Sequence, residues 1–244
     1  MLRWRARLLF PLLALAWAAG VGAQPETCPL GSQPDETVKS LLEQARQQIK
    51  DFRQAGGKPE DPNHPAVRWS EVLWRCREAY PGTLAAAEAT AEAVHILIHA
   101  ARTGRAMELA DSVPASDPAW EKLLNFVAEA AAEANDFRGC IRRIERLLPQ
   151  WRNAELRARA QITLADAHRK LDEKERAAAL LETVQREAAD TPYAVQAAGA
   201  LRQLRELNSG QPAPAFEAEA RNGSVVSLAG FRDRTVVLIF WSTT

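Results

Sequence analysis

Cysteine and histidine carry the most distinctive chemistry in this chain, and their spacing decides how much of it to expect. The thiols are Cys28, Cys76 and Cys140. No two of them form a Cys-x-x-Cys, so a redox pair of the exchanging kind is not expected among them. One disulfide plus one free thiol is the arrangement an odd count allows, with the pairing left open. Cys28, in a Pro-rich stretch, can pair with Cys76, while Cys140 takes an alanine-like place in a helical pattern and reads as a buried structural thiol. His95 and His99 lie four apart and can share a helical face. A zinc site would need a third ligand, and a metalloprotease would need Glu between them; Ile96, Leu97 and Ile98 fill that gap. Helix packing is the better account of this pair, as it is of His168, and His64 falls in the connection PEDPNHP. Trp69, Trp74, Trp120 and Trp151 could line a ligand groove, but core packing is the expectation. No nucleophile–base set, glycine-rich phosphate loop or paired-carboxylate motif stands out. No catalytic, cofactor-binding or metal-ligating residue is therefore expected within these 244 residues, and no cofactor.

The elements that would position these residues are helical. From 35 to about 208 the apolar spacing has the helical period and alanine is abundant. Breaks fall at Pro65, Pro81-Gly82, Gly104, Asp117-Pro118 and Pro192, with the two last prolines placed for a helix's first turn. Eight or nine helices are predicted. Arg142, Arg143 and Arg146 alternate with Ile141, Ile144 and Leu147, as on the wet and dry sides of one helix. Ala106, Cys140 and Ala177 open the second helix of three similar stretches, 34 and 37 residues apart. In the clearest of these, Leu164-Ala165, His168, Ala177, Leu181 and Val184 resemble the tetratricopeptide pattern, with His168 in an aromatic slot. A second runs from Val127-Ala128 through Asn135-Asp136-Phe137 to Ile144 and Leu147; a weaker one runs from Ala93 to Val113.

The first residues read as an export signal over 1–23. Arg3, Arg5 and Arg7 precede an apolar run containing Pro11, and Val21-Gly22-Ala23 offers a cleavage site before Gln24. Residues 24–34 then form a flexible leader. The expected location is the periplasm or cell envelope, with membrane attachment only if the segment is kept as an anchor. The whole chain carries a formal net charge of +0, and loss of three arginines leaves −3, so nucleic acid is not an expected partner. Proteins are.

The segment 209–244 changes character. Gly210, Ala213, Pro214 and Phe216 are followed by a polar turn at Asn222-Gly223, then Val226-Ser227-Leu228, then the apolar run TVVLIFW, closing on Phe240, Trp241, Ser242 and Thr243. Phe216 to Ala220 and Val225 to Leu228 are placed to form a hairpin. A run of seven β-branched, apolar and aromatic residues suits a strand buried on both faces. Order and spacing resemble the opening of a thioredoxin-like (redoxin, TlpA-like) domain, with Ala215 where an acidic residue is usual. Trp241 favours the TlpA-like branch over peroxiredoxin-like relatives, which carry F-Y-P there. The resemblance implies a thiol–disulfide oxidoreductase acting on protein disulfides, with a catalytic Cys-x-x-Cys just beyond residue 244 and therefore outside this chain. The expected fold is mainly α: a tetratricopeptide-like helical-hairpin array over 35–208, then the first two to three β-strands of an incomplete α/β domain. Burial of Val236 to Phe240 would contribute roughly 8–15 kcal/mol, comparable to the stability of a whole domain. Without the other strands, 210–244 is expected to be marginally ordered and prone to associate through open edges. The alternative is a non-enzymatic secreted helical-repeat scaffold whose β-tail docks a partner.

Overall fold

The computed structural model describes residues 27–31, 33–206, 212–232 and 234–239. The export-type segment 1–23 and the motif residues Phe240, Trp241, Ser242 and Thr243 lie outside them. Nine α-helices are present among the described residues, as predicted: α1 Pro34–Gln54, α2 Pro65–Ala79, α3 Leu84–His99, α4 Thr103–Asp111, α5 Trp120–Ala134, α6 Phe137–Leu147, α7 Ala154–Lys170, α8 Lys174–Glu187 and α9 Pro192–Glu206. Short strands β1 Glu217–Glu219 and β2 Val225–Ser227 follow. The chain divides into two compact units, one ending at Phe126 and the other starting at Val127.

In the first unit α1 packs on the α2–α3 hairpin. Val38, Leu41, Leu42, Ala45 and Ile49 recur along one side of α1 and meet Trp69, Val72, Leu73 and Cys76 of α2. Ala85, Ala86, Ala89 and Ala93 of α3 complete that core. Small side chains let the α2 and α3 backbones approach closely, and the larger α1 residues fill the groove above them. Trp69 is buried, but its indole N–H donates to Gln48 Oε1 at 3.0 Å, so no polar atom is stranded there. Part of the leader is fixed rather than flexible: Cys28 is buried, the Tyr80 hydroxyl donates to the Pro29 carbonyl, and Gly31 N–H donates to that hydroxyl at 2.8 Å.

In the second unit α6, α7, α8 and α9 pack as sequence neighbours. Ala158, Ile162 and Ala165 of α7 face Ala177, Leu181 and Val184 of α8, with Ala197, Leu201 and Leu204 of α9 closing the cluster. The residues that carry the repeat pattern are thus core residues. Pro192 opens α9 as expected, whereas Pro118 stays outside the helix that follows it. The Asp117 carboxylate accepts from Ala119 N–H at 2.9 Å, making a turn that ends before Trp120. Gly104, expected at a break, lies inside the first turn of α4.

The backbone itself repeats. Ala101, Asn135 and Asp172 have φ of 53°, 53° and 59°, each between the two helices of a hairpin. Directly after each, an amide reaches back five residues: Arg102 to the Leu97 carbonyl, Asp136 to that of Ala131, and Glu173 to that of His168, at 2.8–2.9 Å. The left-handed residue reverses the chain while this bond satisfies a carbonyl left over at the helix end. The turns keep the same 34- and 37-residue spacing as Ala106, Cys140 and Ala177, all of them buried. α3–α4, α5–α6 and α7–α8 are therefore three copies of one local design. Asparagine and aspartate tolerate this conformation, but alanine does so at a cost of roughly 1–2 kcal/mol. Ala101→Gly is accordingly expected to raise stability by about 1 kcal/mol in urea unfolding; an unchanged or lower midpoint would show that φ carries no strain there.

At the end of the chain β1 and β2 pair antiparallel, with Glu217 opposite Ser227, Ala218 opposite Val226 and Glu219 opposite Val225. Gly223, with φ 79°, supplies the left-handed position of the Arg221-Asn222-Gly223 turn. The hairpin is the predicted one. The strand predicted over 235–241 does not form in its described part: 235–239 have no ladder, and Val237, Leu238 and Ile239 are exposed. A two-stranded hairpin with three residues per strand and none of them buried offers no face to hold a third strand.

Candidate functional site

The structure separates the sequence candidates into packing residues and one open cluster. Cys28 and Cys76 are brought together as a disulfide, Cα atoms 5.1 Å apart, clamping the segment before α1 to α2. Cys140 is a buried free thiol, and burial pushes its pKa up to about 11, so it is a poor nucleophile. Trp69, Trp120 and Trp151 are core residues. Trp74 is half-buried, with the Arg77 guanidinium 5.2 Å from its ring centroid. His168 fills its slot as a buried side chain, its Nδ1 2.7 Å from Glu173 Oε2 across the repeat turn. That contact, with Arg176 and Arg138 nearby, holds the Glu173 carboxyl below its ordinary range. Arg142 and Arg146 are exposed and Arg143 half-buried, opposite buried Ile141, Ile144 and Leu147. His64 lies in the connection before α2, as read, but is buried there: it caps α2 by accepting Ala66 N–H on Nδ1 at 3.1 Å and packs its ring edge-to-face with Phe52.

His95 and His99 form the open cluster. Their Nε2 atoms lie 2.9 Å apart, and the His95 ring stacks on Phe126 with centroids 4.4 Å apart and planes 13° from parallel. One turn earlier on α3, Glu92 accepts from Arg46 Nε of α1 at 3.0 Å and faces His95 Nδ1 at 3.5 Å. The first is a directed hydrogen bond; the second is long for one and mainly electrostatic. Burial works against the Glu92 carboxylate, but His95 and Arg46 outweigh it and hold its pKa at about 2. With the carboxylate facing Nδ1, the proton of a neutral His95 ring belongs on Nδ1, and Nε2 is left to accept from His99.

A groove of about 420 Å³ runs beside this cluster between α1 and α3. Its walls are Arg46, Lys50 and Arg53 from α1 and His95 and His99 from α3, and Ile49 and Ile96 are the buried apolar residues beneath. Glu92 is the one acid in the lining. Of these residues the sequence reading picked out only the histidines. The signal for the rest was the basic spacing 46, 50 and 53 along α1 and the Glu92-x-x-His95-x-x-x-His99 stripe on α3, which matter only once the two helices are known to be neighbours.

No protein-family model and no curated protein matches the chain. Among solved structures it is similar to a kinesin-light-chain-type protein of Podospora anserina with nearly identical TPR-like repeats, at 17% identity and a TM-score of 0.43 over 71% of this chain and 87% of that one. A DHF58 filament is similar at 21% identity and a TM-score of 0.22, covering 70% and 81%. Likenesses this distant assign no function, and the three repeated turns are the firmer sign of a helical-hairpin array.

Proposed function

We propose that this chain is the partner-binding helical part, with the opening of the redox domain, of an exported thioredoxin-like thiol–disulfide oxidoreductase. The observation that carries the reading is the terminal hairpin. Its pairing of 217–219 with 225–227 and its turn at Gly223 fit the first elements of such a domain. The apolar run after it lies exposed at Val237, Leu238 and Ile239, as expected of a central strand without neighbours. Export is supported by the signal-type segment 1–23 and by a disulfide at Cys28–Cys76, a bond that persists in oxidising compartments. The helical hairpins supply surfaces for a protein partner or a protein disulfide substrate. In the completed domain, a cysteine at a helix N-terminus would attack a substrate disulfide as the thiolate, and its neighbour would resolve the mixed disulfide. That chemistry needs no dissociable cofactor.

Sequencing the gene through and beyond codon 244 tests this reading. A Cys-x-x-Cys within the next few codons, followed by further strands and helices, is the expected result. Residues 24–244 alone are expected to show no insulin-disulfide reductase activity. A stop codon directly after Thr244 would remove the redox reading and leave a secreted helical-repeat scaffold with a β-tail.

A further inference from the structure

We propose that the α1–α3 groove is a docking site for an acidic peptide segment. Lys50 and Arg53 would receive its carboxylates, while Ile49 and Ile96 lie beneath its apolar side chains. The proposal deepens, and rests on, the reading of the helical part as protein-binding.

Charge is the first argument. Arg46, Lys50 and Arg53 recur at i, i+4 and i+7, so they form one stripe along α1. Glu92, the one acid in the lining, is already engaged by Arg46 and His95. Among the described residues, neither Lys50 nor Arg53 forms an ion pair, and both are exposed. Two fixed positive charges therefore face the groove without a carboxylate of their own.

Chemistry of the floor is the second argument. Ile49 and Ile96 are 8% and 5% exposed, so a ligand reaching them meets a dry apolar base below a charged rim. A small inorganic anion would use only the rim. A segment that combines acidic and apolar residues uses both, its carboxylates at the rim and its apolar side chains on the floor. A divalent cation is the other ligand that histidines four apart bring to mind. Three neighbouring cationic side chains, Arg46, Lys50 and Arg53, oppose it along α1.

The test is fluorescence anisotropy with the whole chain at low salt, using a labelled dodecapeptide of Glu-Glu-Leu repeats. A matching Gln-Gln-Leu peptide is the control. The Glu peptide is expected to bind at least tenfold more tightly, and to weaken severalfold when NaCl is raised to about 0.5 M, where screening is short-ranged. The double variant Lys50→Glu, Arg53→Glu is expected to lose that preference. Both residues are exposed, so its circular dichroism and unfolding midpoint should match the parent's. Arg186→Glu, at an exposed position of α8, should leave binding unchanged. Equal binding of the Glu and Gln peptides would overturn the acidic specificity while leaving a protein-binding array in place. A Glu preference that survives in Lys50→Glu, Arg53→Glu would move the site off this groove and overturn the assignment. Binding of neither peptide would reject the groove as a peptide site and count against the protein-binding reading as well.

Discussion

Opening the Cys28–Cys76 disulfide is expected to destabilise the first unit by about 2–4 kcal/mol. The bond joins residues 48 apart in sequence. Cross-linking a loop of that length removes chain entropy from the unfolded state corresponding to about 4 kcal/mol, which is the upper figure. The lower figure applies if Tyr80 keeps its hydrogen bonds to Pro29 and Gly31 after the bond is gone, because they tie down the same segment. Cys76 sits in the core and Cys28 is 8% exposed, so reductant should act slowly on the native chain and quickly once it opens. The measurement is urea unfolding of the oxidised chain beside the Cys28→Ser, Cys76→Ser double variant, with thiol titration alongside. The oxidised chain should show almost no reactive thiol when native and one, Cys140, when unfolded. Coincident unfolding curves would deny the bond a stabilising role.

The second large effect is an acid-sensitive step centred on Glu92. Its pKa is held at about 2 in the folded chain, against an ordinary value of 4.5. A carboxyl whose folded pKa lies below its unfolded one binds fewer protons when folded, so stability rises with pH across the window between them. The contribution, about 3 kcal/mol at roughly 1.4 kcal/mol per unit, is complete above about pH 5 and is lost as pH falls towards 2. His64 acts in the same direction at higher pH. Burial, then Arg53 and Arg102, lower its pKa from 6.5, so the neutral ring that caps α2 is favoured above that value and opposed below it. Glu92→Gln should therefore cost about 3 kcal/mol at pH 7 and almost nothing near pH 2. If unfolding free energies of parent and variant run parallel between pH 6 and 2.5, the Arg46–Glu92–His95 contact does not carry this energy.

Most of the helical architecture was legible because it depends on local periodicity. The stripe of Val38, Leu41, Ala45 and Ile49 marks α1's inner face without knowledge of what lies against it. The repeat spacing of Ala106, Cys140 and Ala177 was likewise readable, since small residues at a close helix contact recur with the unit they build. The turns were less so. Ala101 gives no signal of a left-handed residue, and only comparison with Asn135 and Asp172 shows that it occupies their place. Pro118 was read in the first turn of a helix that begins two residues later, at Trp120, because its sequence neighbours fit a cap equally well outside one.

What the sequence determined by itself was the helical class, the repeated hairpins, the β-hairpin near the end, and the inert place of Cys140, all consequences of short-range pattern. Tertiary structure alone decided which charges meet. Arg46 and Glu92 are 46 positions apart and His64 lies in a connection, yet the first two meet in a hydrogen-bonded ion pair with a half-buried carboxylate and the third becomes a buried cap. It also decided that Val237, Leu238 and Ile239 stay exposed, because a strand's burial depends on partners rather than on its own composition. Electrostatic contacts and strand pairing are set by distances through space, and these appear only when the helices have packed.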